Sequence, residues 1–106
     1  MRRPDILHKA TTAIHRVSPD AKVILYGSEA RGDARKDSDM DFLILLPLEQ
    51  GERFYEEERK ITEALLYDVE LETGIEMSPF IVSEKWWNNH PVTPFSLNVK
   101  NEGIFI

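Results

Sequence analysis

Residues Lys22 to Leu46 read KVILYGSEARGDARKDSDMDFLILL, and this stretch decides the fold. Lys22-Val23-Ile24-Leu25-Tyr26 is a short β-rich run ended by Gly27, which predicts a strand. Phe42-Leu43-Ile44-Leu45-Leu46 is an unbroken apolar run closed by Pro47, which predicts a strand covered on both faces. Between them, Gly27 to Asp41 carries glycines, serines and charges with little apolar content, the composition of a loop with one helical turn in it. Two strands joined by a polar, glycine-bearing loop place that loop at one end of a sheet.

Working outward, Ile6, Ala10, Ala13, Ile14 and Val17 recur at helical spacing behind Pro4, and Ser18-Pro19-Asp20 ends that helix. Downstream, Gly51 to Thr73 predicts a long amphipathic helix with Phe54, Ile61, Leu65 and Val69 on one stripe and Gly74 as its stop. Ile75 to Val82 predicts a third strand, whose Pro79 fits an edge position or a bulge. The tail holds Trp86-Trp87 and a short helix over Phe95 to Asn101. The order helix, strand, strand, helix, strand, helix is a small mixed α/β (α+β) domain, with a short mixed sheet of three or more strands packed by helices. With no repeat or linker, residues 1–106 are expected to form one domain.

Composition narrows the function classes. The chain has no cysteine, which excludes a disulfide framework, a thiolate nucleophile and a Cys-ligated zinc or iron–sulfur site. Nineteen acidic against 13 basic side chains give a net charge of −6, which argues against a whole-surface grip on nucleic acid but leaves room for a local basic pocket. No apolar stretch approaches a membrane span. The opening MRRPDILHKATT has two arginines but no apolar region behind them, so no secretion leader and a cytoplasmic location are expected.

The chemistry concentrates in Gly27–Asp41. A glycine straight after a strand lets the backbone turn sharply and approach a ligand, and Gly27-Ser28 can present amide groups and a hydroxyl to an anion. Arg31, three residues on, can neutralise a phosphate or a carboxylate. Ser38-Asp39-Met40-Asp41 leads into the second strand. Aspartates at i and i+2 on a strand project from one face, so the carboxylates of Asp39 and Asp41 converge. Their mutual repulsion would be relieved by a divalent cation, and hard oxygen donors of this kind suit Mg²⁺ or Mn²⁺. A phosphate cradle beside a carboxylate pair is equipment for chemistry on a nucleoside triphosphate. Taken singly, Gly27-Ser28 reads as a strand-ending turn and the aspartates as solvated loop residues; it is the combination that points to a site.

Gly-Ser, ten intervening residues and Asp-x-Asp together resemble the signature of the DNA polymerase beta-like nucleotidyltransferase superfamily. The short chain and the Gly27-Ser28-x-Ala30-Arg31-Gly32 core are similar to its minimal nucleotidyltransferase (MNT) group. Four fixed residues at this spacing should arise by accident in about one in a thousand chains of this length. The resemblance implies that Gly27 and Ser28, with Arg31 and Ser38 on the same nucleotide side, contact the triphosphate of ATP or another NTP. It implies that Asp39 and Asp41 hold two Mg²⁺ ions, replaceable by Mn²⁺, and act as catalytic residues in moving a nucleoside monophosphate, AMP being expected, to a hydroxyl. Such proteins commonly add a third carboxylate on a later strand, as catalytic and metal residue. Here Glu76 is the only carboxylate on the third strand, while Ser78 shares its face and competes for that position. The resemblance further implies a small helical HEPN protein as partner, the two forming a toxin–antitoxin pair, in which the MNT member acts by AMP transfer or by binding alone. A nucleotide sensor without transfer is a further reading, and homo- and hetero-oligomers both remain open.

Other features have plainer readings. Glu56-Glu57-Glu58 reads as a solvated helix face, and the paired tryptophans read as anchors of the tail rather than as a base-stacking platform. His8, His15 and His90 have no partners at metal-ligand spacing. Phe95, Leu97, Ile104, Phe105 and Ile106 form an apolar strip expected to pack into the core.

Overall fold

The computed structural model describes residues 3–106; Met1 and Arg2, which belong to the N-terminal run read above for a leader, lie outside the described residues. Helix α1 (Pro4–Val17) starts with Pro4 in its first turn, where the missing N–H costs nothing, and buries Ala10, Ala13 and Ile14. Strand β1 (Lys22–Tyr26) runs directly into a one-turn helix α2 (Gly27–Arg31). Strand β2 (Met40–Leu46) begins two residues earlier than its apolar run suggests, so that Asp41 lies on the strand itself.

Helix α3 (Glu52–Leu65) continues through a π-helical turn (Leu66–Glu70) into a last α-helical turn, α4 (Leu71–Thr73), and stops at Gly74 in the left-handed conformation. The wide turn has a cause in the sequence. Apolar residues spaced by four, at Ile61, Leu65 and Val69, drift about 40° per step on a 3.6-residue helix. An i→i+5 turn returns Val69 to the buried face. Strand β3 (Met77–Ser83) is followed at once by helix α5 (Glu84–Asn89), capped by the Ser83 hydroxyl. Helix α6 (Pro94–Glu102) opens with a Thr93–Ser96 capping box, and a two-residue strand β4 (Ile104–Phe105) completes the chain order.

The sheet has the order β3-β2-β1-β4, with β1 antiparallel to β2 and β4, and β2 parallel to β3. Pro79 therefore sits on an edge strand, where its missing donor breaks no ladder bond. Strand β2 is central and buried on both faces. Met40, Phe42, Ile44 and Leu46 join α1 and α3 in the larger core. On the other face Leu43 and Leu45, with Ile24, meet Val99 of α6, with Trp87 and Phe95 packed against them. Asp41, alternating with Met40 and Phe42, belongs to this second face.

The tail departs from expectation. Only Phe95 of the apolar strip is half-buried; Leu97, Ile104, Phe105 and Ile106 are exposed rather than packed in the core, because the strip is spread over a helix and a short edge strand that lie on the rim. The tryptophans divide, Trp87 packing edge-on against Phe95 while Trp86 is exposed and stacks on His90. Among the described residues no helix is long and apolar enough to cross a membrane.

Candidate active site

The loop's two halves meet because β1 and β2 are hydrogen-bonded neighbours. Tyr26, the last residue of β1, stands opposite Asp41 in the antiparallel register, so the chain reversal at Gly27 lies beside the Asp41 side chain. Gly27 has φ +75°, and a Cβ there would overlap Asp41 Oδ2. Glycine is thus required twice over, for the backbone and for the carboxylate lying against it. The turn continues as α2, in which the Ser28 carbonyl accepts the N–H groups of Gly32 and Asp33. Among the described residues the Ser28 hydroxyl has no hydrogen-bond partner, leaving it able to serve a ligand.

Asp39 and Asp41 are both half-buried, and neither forms a salt bridge among the described residues. Burial and the neighbouring Asp39 charge push the Asp41 carboxyl up to about 6, with Arg31 working the other way through space and Glu102 adding to the rise. The Tyr26 hydroxyl is also raised, by burial and then by Asp41 and Asp39. Burial leads both shifts and the neighbouring carboxylate charges add to them; it is the second contribution that a divalent cation would relieve. Asp39 and Asp41, with the Gly27-Ser28 turn against Asp41, supply hard oxygen donors of the kind that would suit a Mg²⁺ ion completing its shell with water and substrate oxygens.

The third position goes differently from the two aspartates. Ser78 pairs with Asp41 across the parallel β2–β3 ladder, and its hydroxyl donates to Asp39 Oδ2 at 2.9 Å. Glu76 precedes β3. Its carbonyl accepts the Met40 N–H at 3.0 Å, while its side chain is exposed and has no partner among the described residues. Among the described residues no three His, Cys, Asp or Glu side chains are grouped to hold a metal ion.

Ser38 is a loop brace in this structure: its hydroxyl accepts the Arg35 N–H at 2.8 Å and its carbonyl accepts Arg3 Nη1 at 2.7 Å. Arg31 pairs with Asp33 at 3.3 Å and with Glu102 at 3.2 Å. Three participants had no signature in the sequence. Glu29 is 1% exposed and accepts both the backbone N–H and Nε of Arg3, at 2.5 and 2.8 Å. Arg3 reaches on to the carbonyls of Lys36 and Ser38, so one buried guanidinium ties the start of α1 to α2 and to the loop just ahead of Asp39. Glu102 accepts the Gly27 N–H at 3.1 Å. Tyr26 alone could have been found from sequence, by folding the two strands into a hairpin and reading off what faces Asp41.

The chain matches the family model of the nucleotidyltransferase domain over residues 7–89. No curated protein matches its sequence. Among solved structures, its fold resembles that of a candidate nucleotidyltransferase from Sulfolobus solfataricus, with TM-score 0.58 and 13% identity over 95% of this chain and 76% of the other. It also resembles a chain from a toxin–antitoxin structure with AMP-PNP, with TM-score 0.52 and 19% identity over 92% of this chain and 69% of the other.

Proposed function

Since this chain belongs to the nucleotidyltransferase domain family, we propose that it moves AMP from ATP onto a hydroxyl of a partner protein, as the antitoxin of a toxin–antitoxin pair. The observation that carries this reading is the Gly27-Ser28 turn lying directly against Asp41, which supports reading the turn as a hydrogen-bond donor to phosphate and Asp39 with Asp41 as metal-binding carboxylates. The toxin–antitoxin structure with AMP-PNP, similar in fold, supports the choice of nucleotide and of a protein partner. A small helical HEPN protein is the partner this reading expects, met in the cytoplasm.

In this reading Gly27 and Ser28 hold the terminal phosphates, with Arg31 neutralising charge at the edge of the turn. Asp39 and Asp41 would hold two Mg²⁺ ions, or Mn²⁺, which when bound polarise the α-phosphate and neutralise the departing pyrophosphate. Asp41, ionising only near pH 6, needs a cation beside it to be fully charged at lower pH. The acceptor oxygen bonds to the α-phosphorus as the bond to pyrophosphate breaks, and the hydroxyl proton passes to solvent. Ser78 bears on the acceptor. A hydroxyl at that position cannot take up the acceptor's proton as a third carboxylate would, so the site favours an acceptor that ionises readily. A tyrosine phenol, with pKa about 10, meets that need far better than serine or threonine.

The same observation favours a second reading. With Ser78 rather than Glu76 beside Asp39, the protein binds nucleotide and partner without transferring AMP. The two part on one experiment, in which α-labelled ATP and Mg²⁺ are incubated with the protein, with and without the protein encoded beside it. Label on the neighbour that is lost in the Asp39→Asn, Asp41→Asn double variant supports transfer. Tight complex formation with no label, unchanged in that variant, supports the binding-only antitoxin.

A further inference from the structure

The Gly27 amide and the Arg31 guanidinium, which the proposed function gives to the triphosphate, already hold an anion in this structure. Glu102, the last residue of α6, accepts the Gly27 N–H on Oε1 at 3.1 Å and Arg31 Nη1 on both carboxylate oxygens, at 3.3 and 3.2 Å. Seventy-five positions separate Glu102 from Gly27, so the fold and not local sequence brings them together. Its side chain is 24% exposed, sheltered yet open on one side to water.

A carboxylate and a phosphate ask for the same partners, backbone N–H groups and a guanidinium fork. Two anions cannot share them. We propose that Glu102 is a resident competitor for the phosphate turn, which a nucleoside triphosphate binds by displacing. The proposal rests on the reading of Gly27 and Arg31 as phosphate contacts given above.

The fold keeps the competitor in place while leaving it free to turn aside. Gly103 follows Glu102 and is pressed against β1, where a Cβ would overlap the Val99 carbonyl and the Ile24 side chain. Its N–H donates to the Val99 carbonyl at 2.7 Å, and Val99 is itself buried. The backbone at Glu102 is therefore anchored, and rotation of its own side chain is enough to vacate the turn. Arg31 is half exposed and can stay to meet the incoming phosphate. The arrangement selects for polyphosphates, because a single phosphate gains little more than the carboxylate it replaces, whereas a triphosphate also reaches the metal-binding pair.

Calorimetric titration with Mg²⁺–ATP and with inorganic tripolyphosphate tests the proposal on the full chain and on two variants, Glu102→Gln and Glu102→Asp. If the unblocked turn is populated about one time in ten, removing the competitor tightens binding about ten-fold. Glu102→Asp keeps the charge but is one methylene too short to span the Gly27 amide and Arg31, and should also tighten binding, by about three-fold or more. Tighter binding by Glu102→Gln with Glu102→Asp equal to the parent would overturn the proposal, because the effect would then be distant charge repulsion. Parent-like or weaker binding by both variants overturns it too, while leaving the nucleotide site standing. No binding by any of the three proteins removes the nucleotide site itself, and the competitor with it.

Discussion

Two groups of charge flank the same loop and are treated in opposite ways. Arg3 and Glu29 are both nearly water-free, and each charge is met by the other, with two carbonyls taking further guanidinium protons and Arg3 Nη2 left buried without a partner among the described residues. Asp39 and Asp41 are less buried, yet each feels the other's charge with a serine hydroxyl and a distant arginine for relief. The first group holds the loop in place and the second stores repulsion that a cation can release.

The comparison breaks most sharply if the buried pair is cut. Removing one partner leaves an uncompensated charge in the interior, so Arg3→Met or Glu29→Leu alone should cost about 3–5 kcal/mol, read from the urea midpoint. The double variant Arg3→Met, Glu29→Leu should recover most of that, since an apolar pair can replace a buried ion pair at little cost. It should not recover Mg²⁺–ATP affinity, because the Lys36 and Ser38 carbonyls lose their donor and the approach to Asp39 loosens. Full recovery of binding would mean that Arg3 holds the core alone and not the loop.

The repulsive pair gives the opposite sign. The Asp41 carboxyl ionises near 6 in the folded chain against an ordinary value of 3.8, so the folded state holds this proton more tightly than the unfolded chain does. Its contribution is favourable below about pH 4 and is lost as pH rises through about 6. Asp41→Asn should therefore stabilise the metal-free protein by about 1 kcal/mol at pH 7.5, a figure reduced because water screens a half-buried carboxylate, and leave it unchanged at pH 4. Mg²⁺ should stabilise the parent and not the variant. Urea unfolding at the two pH values, with and without Mg²⁺, measures all three. A variant less stable than the parent at pH 7.5 would show that Asp41 is a structural acceptor and not one half of a strained pair.

What could be read from the chain alone divides along the same line. The strand–loop–strand at Lys22–Leu46 is local, set by residues no more than 24 positions apart, and the sequence displays it. Met40 and Asp41 were harder to place because a charge interrupts the apolar pattern at the strand's start, where hydrogen bonds to β1 and β3 override composition. Arg3, Glu29 and Glu102 lie far apart in the chain and carry no pattern; only the packing of α1 and α6 against the β1–α2 turn brings them together. The exposed tail strip misled for the same reason, since apolar residues do not say whether a core is within reach. Helix α5 was hidden behind its two tryptophans, although Ser83 stands at its start as an ordinary cap.

The smallest expected effect is the one that most sharpens the reading of the carboxylate pair. By alternation alone Glu76 and Ser78 would share a face, and sequence cannot separate them. Ser78 stands opposite Asp41 with its hydroxyl on Asp39, while Glu76 precedes the strand and is exposed. An exposed side chain with no partner changes little when its charge is removed, so Glu76→Gln should shift stability by no more than about 0.5 kcal/mol and leave Mg²⁺–ATP binding within about two-fold. Ser78→Ala, by contrast, strips a hydrogen bond from a half-buried carboxylate and should cost about 1 kcal/mol. The contrast is the informative quantity, because both changes are isosteric or smaller and the two residues are two positions apart. A ten-fold loss of nucleotide binding or of AMP transfer in Glu76→Gln, with Ser78→Ala near the parent, would bring Glu76 back as the third carboxylate. It would also remove the argument for a phenolic acceptor, since a carboxylate would then be at hand to take the proton from any hydroxyl.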